Sequence, residues 1–333
     1  MGKPKVYITS RSFGQFSEEA LKLINSVAEV ERNPYGRAMT EEELLKAVKD
    51  ADGLIVGNDK INKKVIEHAE KLKIIARHGV GVDNVDLKAA TDNNIIVTYT
   101  PNVNADAVAD FTMGLIFSLA RNIPQAYVSL RQGKWEATKF MGVDVHGKTL
   151  GIIGLGEIGY RVAKRARGFD MKILYWSRNR KGSIEKELSV QYVDLQTLLR
   201  ESDFVTIHLA LTDETRGMIG KKELDLMKKT AYLINTARGP IVDEKALYEA
   251  LKEGKIAGAA VDVYEKEPPD ADNPLLRLDN VIATPHVAAY SRETMQRMDM
   301  MNAEDILRFF KGEQPQNVAN PEVLKKLGLR VKS

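Results

Sequence analysis

The sequence has 333 residues, with 49 Lys and Arg against 46 Asp and Glu, a net charge of +3 and no cysteine. This length accommodates two hydrophobic cores of ordinary domain size, and the absence of Cys excludes disulfides, thiol nucleophiles and Cys-ligated metals. The balanced charge, without a long basic run, disfavours nucleic-acid binding, and because no apolar segment approaches the ~20 residues of a membrane span we expect a cytoplasmic protein without a signal peptide or membrane contact.

The first hundred residues alternate short apolar segments with helical ones, which is typical of a compact α/β domain. Nearly unbroken apolar runs predict strands that are buried in a parallel sheet. These strands are expected at residues 6–9, 53–56, 72–76 and 95–98. Between them, Thr40 and Glu43 predict a helix that begins with a capping box, and Asn62 is expected to cap the next helix.

Two glycines follow the third of these strands, on either side of Val80. Ligands bind at the carboxyl ends of parallel strands in such sheets, and a glycine-rich loop there exposes backbone N–H groups that could hold a small anion. A second interpretation stays open, in which the glycines only form a turn before a helix near Asp86.

A long helix is predicted from the apolar spacing between Val108 and Leu119, and Pro124 is expected to kink or end it. The following segment carries Leu130, Trp135 and Phe140 outside any obvious domain core. Exposed apolar surface of this size usually contacts a partner. We therefore predict a homodimer that forms through the region of residues 120–146.

Residues 148–180 show the order strand, glycine turn, helix and strand that a dinucleotide-binding unit requires. Gly154 is expected to form the tight turn, Gly156 to let the backbone approach a pyrophosphate, and Gly159 to let the helix lie close to the sheet. The N–H groups at the helix start, at Glu157 and Ile158, would then face the phosphates with the helix dipole behind them. The alternative is an ordinary glycine turn between a strand and a helix.

The end of the second strand of this unit indicates which dinucleotide is bound. A site for NAD usually has Asp or Glu there to bind the ribose 2′-hydroxyl, whereas this strand is followed by Ser177, Arg178 and Arg180. A hydroxyl and two guanidinium groups suit a 2′-phosphate, so we predict NADP(H) as the preferred cofactor and NAD(H) as the alternative. The arginines could instead form a solvated turn that pairs with Glu185 or Glu187.

The remaining chain continues the alternation of a doubly wound sheet, with further strands expected at residues 204–209, 231–235, 257–263 and 281–283. A long helix after Ser291 reaches Phe310 and is expected to return to the first domain. The predicted fold class is α/β with two doubly wound parallel-sheet lobes. The predicted domains are a substrate-binding domain, residues 1–99 plus 292–333, and a dinucleotide-binding domain, residues 100–291, with the substrate in the cleft between them.

Polar side chains stand at the carboxyl ends of three predicted strands: Arg238, the acidic pair Asp262 and Glu267, and His286. Hydride transfer to a keto acid needs a cation that grips the carboxylate and polarises the carbonyl, a general acid that protonates the new alkoxide, and a carboxylate that orients this acid. Each residue also has a structural interpretation: Arg238 could cap a helix, Glu267 could be surface charge, and a His after Pro is often structural.

Together with RHGVGVDNVD, the segments GLGEIG, INTARGPIVDE, AAVDVYEKEPP and ATPHVAAY resemble the D-isomer-specific 2-hydroxyacid dehydrogenase family over nearly the whole chain. The resemblance implies a flavodoxin-like substrate lobe and a Rossmann dinucleotide-binding lobe, and no metal site. It implies that Arg238 binds and polarises the substrate, and that Glu267 pairs with His286, the acid/base. It further implies that the backbone at Val80 and Gly81 holds the substrate carboxylate, and that the cofactor is contacted by Thr112, Thr236, Ala237 and Asp262.

Two groups within this family differ in their substrate. The SRNRK run resembles NADP-using glyoxylate and hydroxypyruvate reductases, so we expect reduction of such a short 2-keto acid to the D-2-hydroxy acid. Residues 123–142 resemble 3-phosphoglycerate dehydrogenases, which makes D-3-phosphoglycerate dehydrogenase the alternative. Members that bind phosphoglycerate add arginines for the phosphate. Arg77 fits one such place, whereas Gly57 and Ala137 occupy others.

An alternative from another class is a dinucleotide-sensing corepressor-like protein, because some relatives of this fold bind protein partners while keeping the catalytic residues. Such proteins tend to carry disordered tails. This sequence has no Pro/Ser-rich or low-complexity end, and we therefore expect an enzyme.

Overall fold

The computed structural model describes residues 2–327. They form two compact units: one comprises the chain up to Asn104 together with the chain from Tyr290 onward, and the other is Ala105–Ala289. The sequence placed the two boundaries after residue 99 and after residue 291. Residues 328–333, which the sequence assigned to the first domain, lie outside the described residues.

The sheet of the first unit has five parallel strands in the order β2-β1-β3-β4-β5. This order is that of a flavodoxin-like sheet, so the predicted fold of this unit is confirmed. The sequence missed β2, an edge strand with the polar sequence EVER. The strands are β1 (Lys5–Ile8), β2 (Glu29–Arg32), β3 (Gly53–Val56), β4 (Ile74–Arg77) and β5 (Ile96–Thr98).

Four short helices connect these strands, and their first residues follow from side-chain capping. Thr40 and Glu43 form the predicted capping box, and the side chains of Asn62 and Asp86 accept hydrogen bonds from backbone N–H groups three residues later. The helices are α1 (Glu18–Val27), α2 (Glu41–Val48), α3 (Lys63–His68) and α4 (Leu87–Asp92).

The sheet of the second unit has seven parallel strands in the order β12-β11-β10-β9-β6-β7-β8. Six of them, from β11 to β8, repeat the order of a Rossmann sheet, which confirms the predicted fold of this unit. The two-residue edge strand β8 was not predicted. The strands are β6 (Thr149–Ile153), β7 (Lys172–Trp176), β8 (Gln191–Tyr192), β9 (Phe204–Ile207), β10 (Tyr232–Asn235), β11 (Gly258–Val261) and β12 (Val281–Ala283).

Seven helices accompany this sheet, with short 3-10 turns between some elements. The prediction for Pro124 was wrong, because the first helix already ends at Ala120 and Pro124 lies in the first turn of the next one, where its missing N–H costs nothing. The helices are α5 (Ala105–Ala120), α6 (Ile123–Arg131), α7 (Glu157–Ala166), α8 (Gly182–Leu188), α9 (Leu195–Glu201), α10 (Lys221–Leu224) and α11 (Glu244–Lys252).

The chain then returns to the first unit through α12 (Arg292–Phe310), which Ser291 caps and which packs against α1 and β4. The segment after α12 is fastened to β5, because the Ala319 N–H donates to the carbonyl of Val97. A last short helix, α13 (Glu322–Lys326), follows.

Apolar side chains cover both faces of each sheet, as expected where helices flank a parallel sheet on two sides. In the first unit the two layers are centred on Leu54 and Ile55, neighbours in β3 that point to opposite faces. In the second unit they are centred on Ile152 and Ile153 of β6 in the same way. Within residues 2–327, no helix is both long enough and apolar enough to cross a membrane.

Candidate active site

The glycine turn after β6 has the geometry that a dinucleotide-binding turn requires. Gly154 has a φ of +101°, and a Cβ there would overlap the backbone of His208. A Cβ at Gly159 would overlap the carbonyl oxygen of Gly154, so this glycine allows α7 to approach the strand. At Gly156, in contrast, nothing lies within 4 Å of a Cβ. The backbone therefore borders open space at the position where the sequence placed a pyrophosphate.

The start of α7 faces this open space. Its N-cap is Gly156, which offers no side chain to the first N–H groups, and the positive end of the helix dipole favours an anion there. The side chain of Glu157 pairs with Arg161 at 2.6 Å, and Ile158 packs against the core of the unit. What these two residues offer a cofactor is therefore their backbone N–H groups, and the turn as a whole fits a dinucleotide.

The three polar residues that follow β7 are placed differently from one another. The Ser177 hydroxyl donates to the carbonyl of Asn179 at 2.6 Å. Arg178 is exposed, and no hydrogen bond of its guanidinium occurs in the described part of the chain. Arg180 donates two hydrogen bonds of 2.8 Å to Glu185. The bonds from Arg180 lower the pKa of Glu185 to about 2, so this carboxylate is ionised and engaged.

The loop after β10 is shaped by its own polar groups. The Asn235 side chain donates to the Arg238 carbonyl at 3.0 Å and accepts from the Ala237 N–H at 3.1 Å. Arg238 is half-buried, and its Nη1 donates to the Ala237 carbonyl at 2.8 Å. At Gly239 a Cβ would overlap the backbone of Tyr264, so the absence of a side chain lets the Arg238 loop lie against the segment that leads to Glu267. Asn235 and Gly239 were not predicted as site residues.

Thr236 and Thr112, both expected at the cofactor, form a hydrogen bond of 3.0 Å with each other. The Thr112 hydroxyl also donates to the Val108 carbonyl within α5, and the residue has no exposed surface. Thr112 therefore supports Thr236 from behind, and its contact with a cofactor stays a prediction. Thr236 itself is only 7% exposed, and the adjacent Ala237 is half-exposed.

His286 and Glu267 lie together as expected. The His286 Nδ1 is 2.6 Å from Glu267 Oε2, and each side chain is 29% exposed. The other carboxylate oxygen of Glu267 accepts from the Tyr264 N–H at 3.2 Å, which fixes the carboxylate. Since an ionised carboxylate only accepts, Nδ1 carries a hydrogen, and among the described residues Nε2 has no partner. This nitrogen is therefore available to a substrate.

The Asp262 carboxylate holds the loop that presents His286. It is completely buried and accepts from the Thr284 hydroxyl at 2.6 Å and from the N–H groups of Val287 and Ala288 at 2.9 and 2.8 Å. Burial raises the pKa of Asp262, and these hydrogen bonds oppose the rise. His286 itself has a φ of +54°. The Asp262 side chain thus orients the His286 loop, and its contact with a cofactor stays a prediction.

The loop after β4 contains the residues expected at the substrate carboxylate. Val80 and Gly81 are half-exposed, and no hydrogen bond within residues 2–327 uses either N–H group. Arg77 is placed differently from what we expected of a phosphate ligand. Its buried guanidinium donates to Asn84 at 3.1 Å, to Asn58 at 3.2 Å and to the carbonyl of the residue that follows it. Arg77 therefore stabilises the loop.

Comparison with known proteins agrees with this geometry. The model of the NAD-binding domain of D-isomer specific 2-hydroxyacid dehydrogenases matches residues 113–288. A D-3-phosphoglycerate dehydrogenase of Methanocaldococcus jannaschii is 48% identical over 91% of this chain and 57% of its own length. A glyoxylate reductase of Korarchaeum cryptofilum is 46% identical over 97% of this chain and 98% of its own length. The chain thus spans little more than half of the former and nearly all of the latter.

Solved structures show the same relationship. The crystal structure of a glyoxylate reductase from Paecilomyes thermophila is 30% identical, has a TM-score of 0.83 and is matched over 96% of this chain and 99% of its own. The chain belongs to the D-isomer specific 2-hydroxyacid dehydrogenase family. It is an NAD(P)-dependent oxidoreductase that interconverts a 2-keto acid and a D-2-hydroxy acid.

Proposed function

We propose that this enzyme reduces glyoxylate or hydroxypyruvate to the corresponding 2-hydroxy acid, and that Arg238, Glu267 and His286 are its catalytic residues. The observation that carries the proposal is the His286–Glu267 pair, 2.6 Å apart, with a free Nε2 and with the Arg238 loop packed against the Glu267 segment through Gly239. A steadied imidazole and a guanidinium are the groups that carbonyl reduction needs.

The roles of the residues follow from their atoms. The reduced nicotinamide, when bound, supplies the hydride that adds to the keto carbon. The Arg238 guanidinium binds the keto acid and polarises its C=O, and the protonated Nε2 of His286 gives its hydrogen to the oxygen that becomes the hydroxyl. Glu267 accepts from Nδ1 throughout and stabilises the imidazolium. In the loop after β4, the N–H groups of Val80 and Gly81 bind the substrate carboxylate.

The substrate assignment rests on the residues that stand where a phosphate site is expected. Arg77 is buried and hydrogen-bonded to Asn58 and Asn84, and Gly57 and Ala137 supply no charge. A relative named glyoxylate reductase also matches this chain over 98% of its length, whereas a relative named phosphoglycerate dehydrogenase is matched over only 57%. Phosphohydroxypyruvate is therefore the second substrate to be tested.

NADP(H) is the preferred cofactor in this proposal. Arg178 is an exposed cation without a hydrogen bond in the described chain. Both oxygens of the Glu185 carboxylate accept hydrogen bonds from Arg180. A 2′-phosphate would therefore meet one exposed guanidinium. The family assignment itself requires only NAD(H) or a closely similar dinucleotide.

A substrate panel tests both assignments at once. Purified enzyme is given glyoxylate, hydroxypyruvate or phosphohydroxypyruvate with NADPH or with NADH, and absorbance of the reduced nicotinamide is followed. We expect the highest kcat/KM for one of the two unphosphorylated acids with NADPH. A preference for phosphohydroxypyruvate would overturn the substrate assignment, and a clear preference for NADH would overturn the cofactor assignment.

The enzyme is further proposed to be a homodimer that associates through residues 120–146. This region carries exposed apolar side chains that no core of the described chain covers. They are Ile123, Tyr127, Val128, Leu130, Trp135, Met141 and Val143. Phe140, which we expected among them, is half-buried instead.

A further inference from the structure

A buried polar cluster lies in the first unit immediately before the Val80–Gly81 loop. The His78 Nε2 is 2.9 Å from Asp299 Oδ1, and its Nδ1 is 3.2 Å from the Ser10 hydroxyl and 3.4 Å from the Ser12 hydroxyl. The His78 and Asp299 side chains are 3% and 0% exposed. Ser10 and Ser12 follow β1, His78 follows β4, and Asp299 lies on α12. The cluster therefore joins three elements at the carboxyl end of the sheet.

Two side chains of α12 hold the chain where β4 ends. The first is Asp299, which bonds to His78 through one carboxylate oxygen. Its other oxygen accepts from the N–H of Gly14, in the loop after β1, at 3.0 Å. The second is the buried Asn302, one turn later, whose side-chain amide donates to the Arg77 carbonyl at 3.2 Å. The chain direction at the point where β4 ends is therefore set by side chains of α12.

The backbone between the cluster and the loop is fixed as well. The His78 N–H donates to the Val56 carbonyl at 2.8 Å, and the Gly79 carbonyl accepts from the Thr100 N–H at 3.0 Å. Gly79 has a φ of +152°, and a Cβ there would overlap the Arg77 guanidinium. The residues that lead into Val80 thus have little freedom, whereas Val80 and Gly81 themselves keep unused N–H groups.

Efficient packing of the core does not explain why polar side chains occupy these positions. Burial of a histidine and a carboxylate is costly unless both are fully paired, and an apolar pair of similar volume would fill the same space. Hydrogen bonds, in contrast, are directional and fix a backbone in one arrangement. A loop that must aim two N–H groups at one carboxylate benefits from that arrangement, because preorganised donors lose little entropy on binding.

We propose that His78 and Asp299 are positioning residues that hold the Val80–Gly81 loop in the conformation that binds the substrate carboxylate. The proposal rests on the substrate role assigned to this loop in the proposed function. His78 and Asp299 do not touch the substrate. They act through the backbone of Gly79, so their loss weakens binding of the keto acid more than it slows hydride transfer.

The test uses two buried carboxylates of one helix. Asp299→Asn leaves one accepting oxygen in place of two, so the amide NH2 meets either the Gly14 N–H or the His78 ring and disturbs the cluster. Asp305→Asn is the matched control: Asp305 is equally buried on α12, but its oxygens accept from Gln316 at 2.6 Å and Asn317 at 3.1 Å, away from the loop. We measure thermal midpoints, kcat and KM for glyoxylate, and the inhibition constant of oxamate, a 2-keto acid analogue.

We expect Asp299→Asn to raise both the KM and the oxamate inhibition constant by about tenfold, equivalent to ~1.4 kcal/mol, while kcat stays within about threefold. Asp305→Asn should lower the thermal midpoint and leave both constants unchanged. His78→Phe, which keeps a ring beside Phe13 and removes the hydrogen bonds, should behave like Asp299→Asn. If one of these two variants does not fold, the other decides.

Two failures are distinguishable. Equal thermal shifts in the Asp299 and Asp305 variants, with unchanged KM and inhibition constants in both, would overturn the positioning role while the proposed function stands. A wild-type enzyme that reduces no short keto acid and does not bind oxamate would overturn the proposed function itself.

Discussion

At the scale of single residues, the site depends on how loops present a few side chains. His286 has a left-handed backbone, which is uncommon for a residue with a Cβ, and the Asp262 carboxylate maintains it through hydrogen bonds to residues 284–288. An unfavourable backbone conformation of this kind persists only where surrounding contacts hold it, and it is frequent at functional sites. His286, the proposed proton donor, is therefore held by the buried carboxylate of Asp262 and by Glu267.

Replacing His286 by Asn tests the proton donor. Asn cannot carry a proton to the substrate oxygen, so kcat should fall by about 10²- to 10⁴-fold, while the dissociation constant of NADPH stays unchanged. His146→Asn is the control, because His146 also faces a carboxylate, Asp170 at 3.5 Å, but is 76% exposed. Unchanged turnover in the His286 variant, or an equal loss in the His146 variant, would contradict the assignment.

The two arginines after β7 are expected to contribute differently to NADPH binding. Arg178→Ala should reduce kcat/KM with NADPH by about tenfold or more, since a charge-assisted phosphate contact is worth ~1.5–3 kcal/mol, and should leave the value with NADH nearly unchanged. Arg180→Ala should have the smaller effect on NADPH, because Glu185 holds this side chain. Steady-state kinetics with both cofactors would contradict this if Arg180→Ala caused the larger loss.

Site residues could be predicted from the sequence where their position follows from neighbouring residues, but not where it depends on residues far away in the chain. Arg238, Glu267 and His286 each follow an apolar strand, so their placement at one edge of a parallel sheet could be predicted. The His78–Asp299 bond joins residues 221 positions apart, and no local pattern indicates it. The burial of Arg77 and Thr112 was equally hidden, because residue type alone does not show whether a polar side chain points to a ligand or into its own loop.

At the scale of elements, apolar runs predicted the strands well where both faces of the strand are covered. The run TLGII of β6 and the run GLIV of β3 lie in the interior of their sheets. Both strands were predicted, and β3 was predicted with the observed bounds. The strands β2 and β8 lie at sheet edges, where one side meets solvent and polar residues are tolerated. The periodicity of buried strands is therefore absent from their sequences, and both were missed.

Gly239 is an element-scale determinant of the site, because it lets the 3-10 turn after Arg238 pack against the segment at Tyr264. Gly239→Ala should therefore destabilise the protein by about 1–3 kcal/mol and lower kcat. Gly114→Ala is the matched control: it lies within α5 with nothing within 4 Å of a Cβ, and alanine should stabilise the helix by up to ~1 kcal/mol. Thermal unfolding that showed the same shift for both variants would contradict the proposed packing role.

At the scale of the whole molecule, the chain builds two doubly wound units and visits the first of them twice. The return of α12 gives the first unit a helix whose Asp299 and Asn302 reach the end of β4. The loop near residue 80, which we propose binds the substrate, is thereby stabilised by residues near 300. The conformation of this loop therefore depends on both segments of the first unit.

The apolar surface of residues 120–146 makes a prediction about assembly. Trp135 is 87% exposed and Leu130 is 58% exposed, and apolar side chains grouped in this way usually mark an interface. We expect light scattering to give twice the mass of one chain for the wild type at micromolar concentration. The double variant Leu130→Glu with Trp135→Glu should give the mass of one chain, because it buries two unpaired charges in the interface.

The control for this prediction is Leu276→Glu, which also places a charge at an exposed apolar position of the second unit, 40% exposed, but outside residues 120–146. This variant should keep the mass of the wild type. A monomeric wild type would show that the surface does not join two copies. A dimer that persists in the double variant would show that the copies associate through another surface, and a monomeric Leu276→Glu would point to the 3-10 turn at Pro274–Arg277 as part of it.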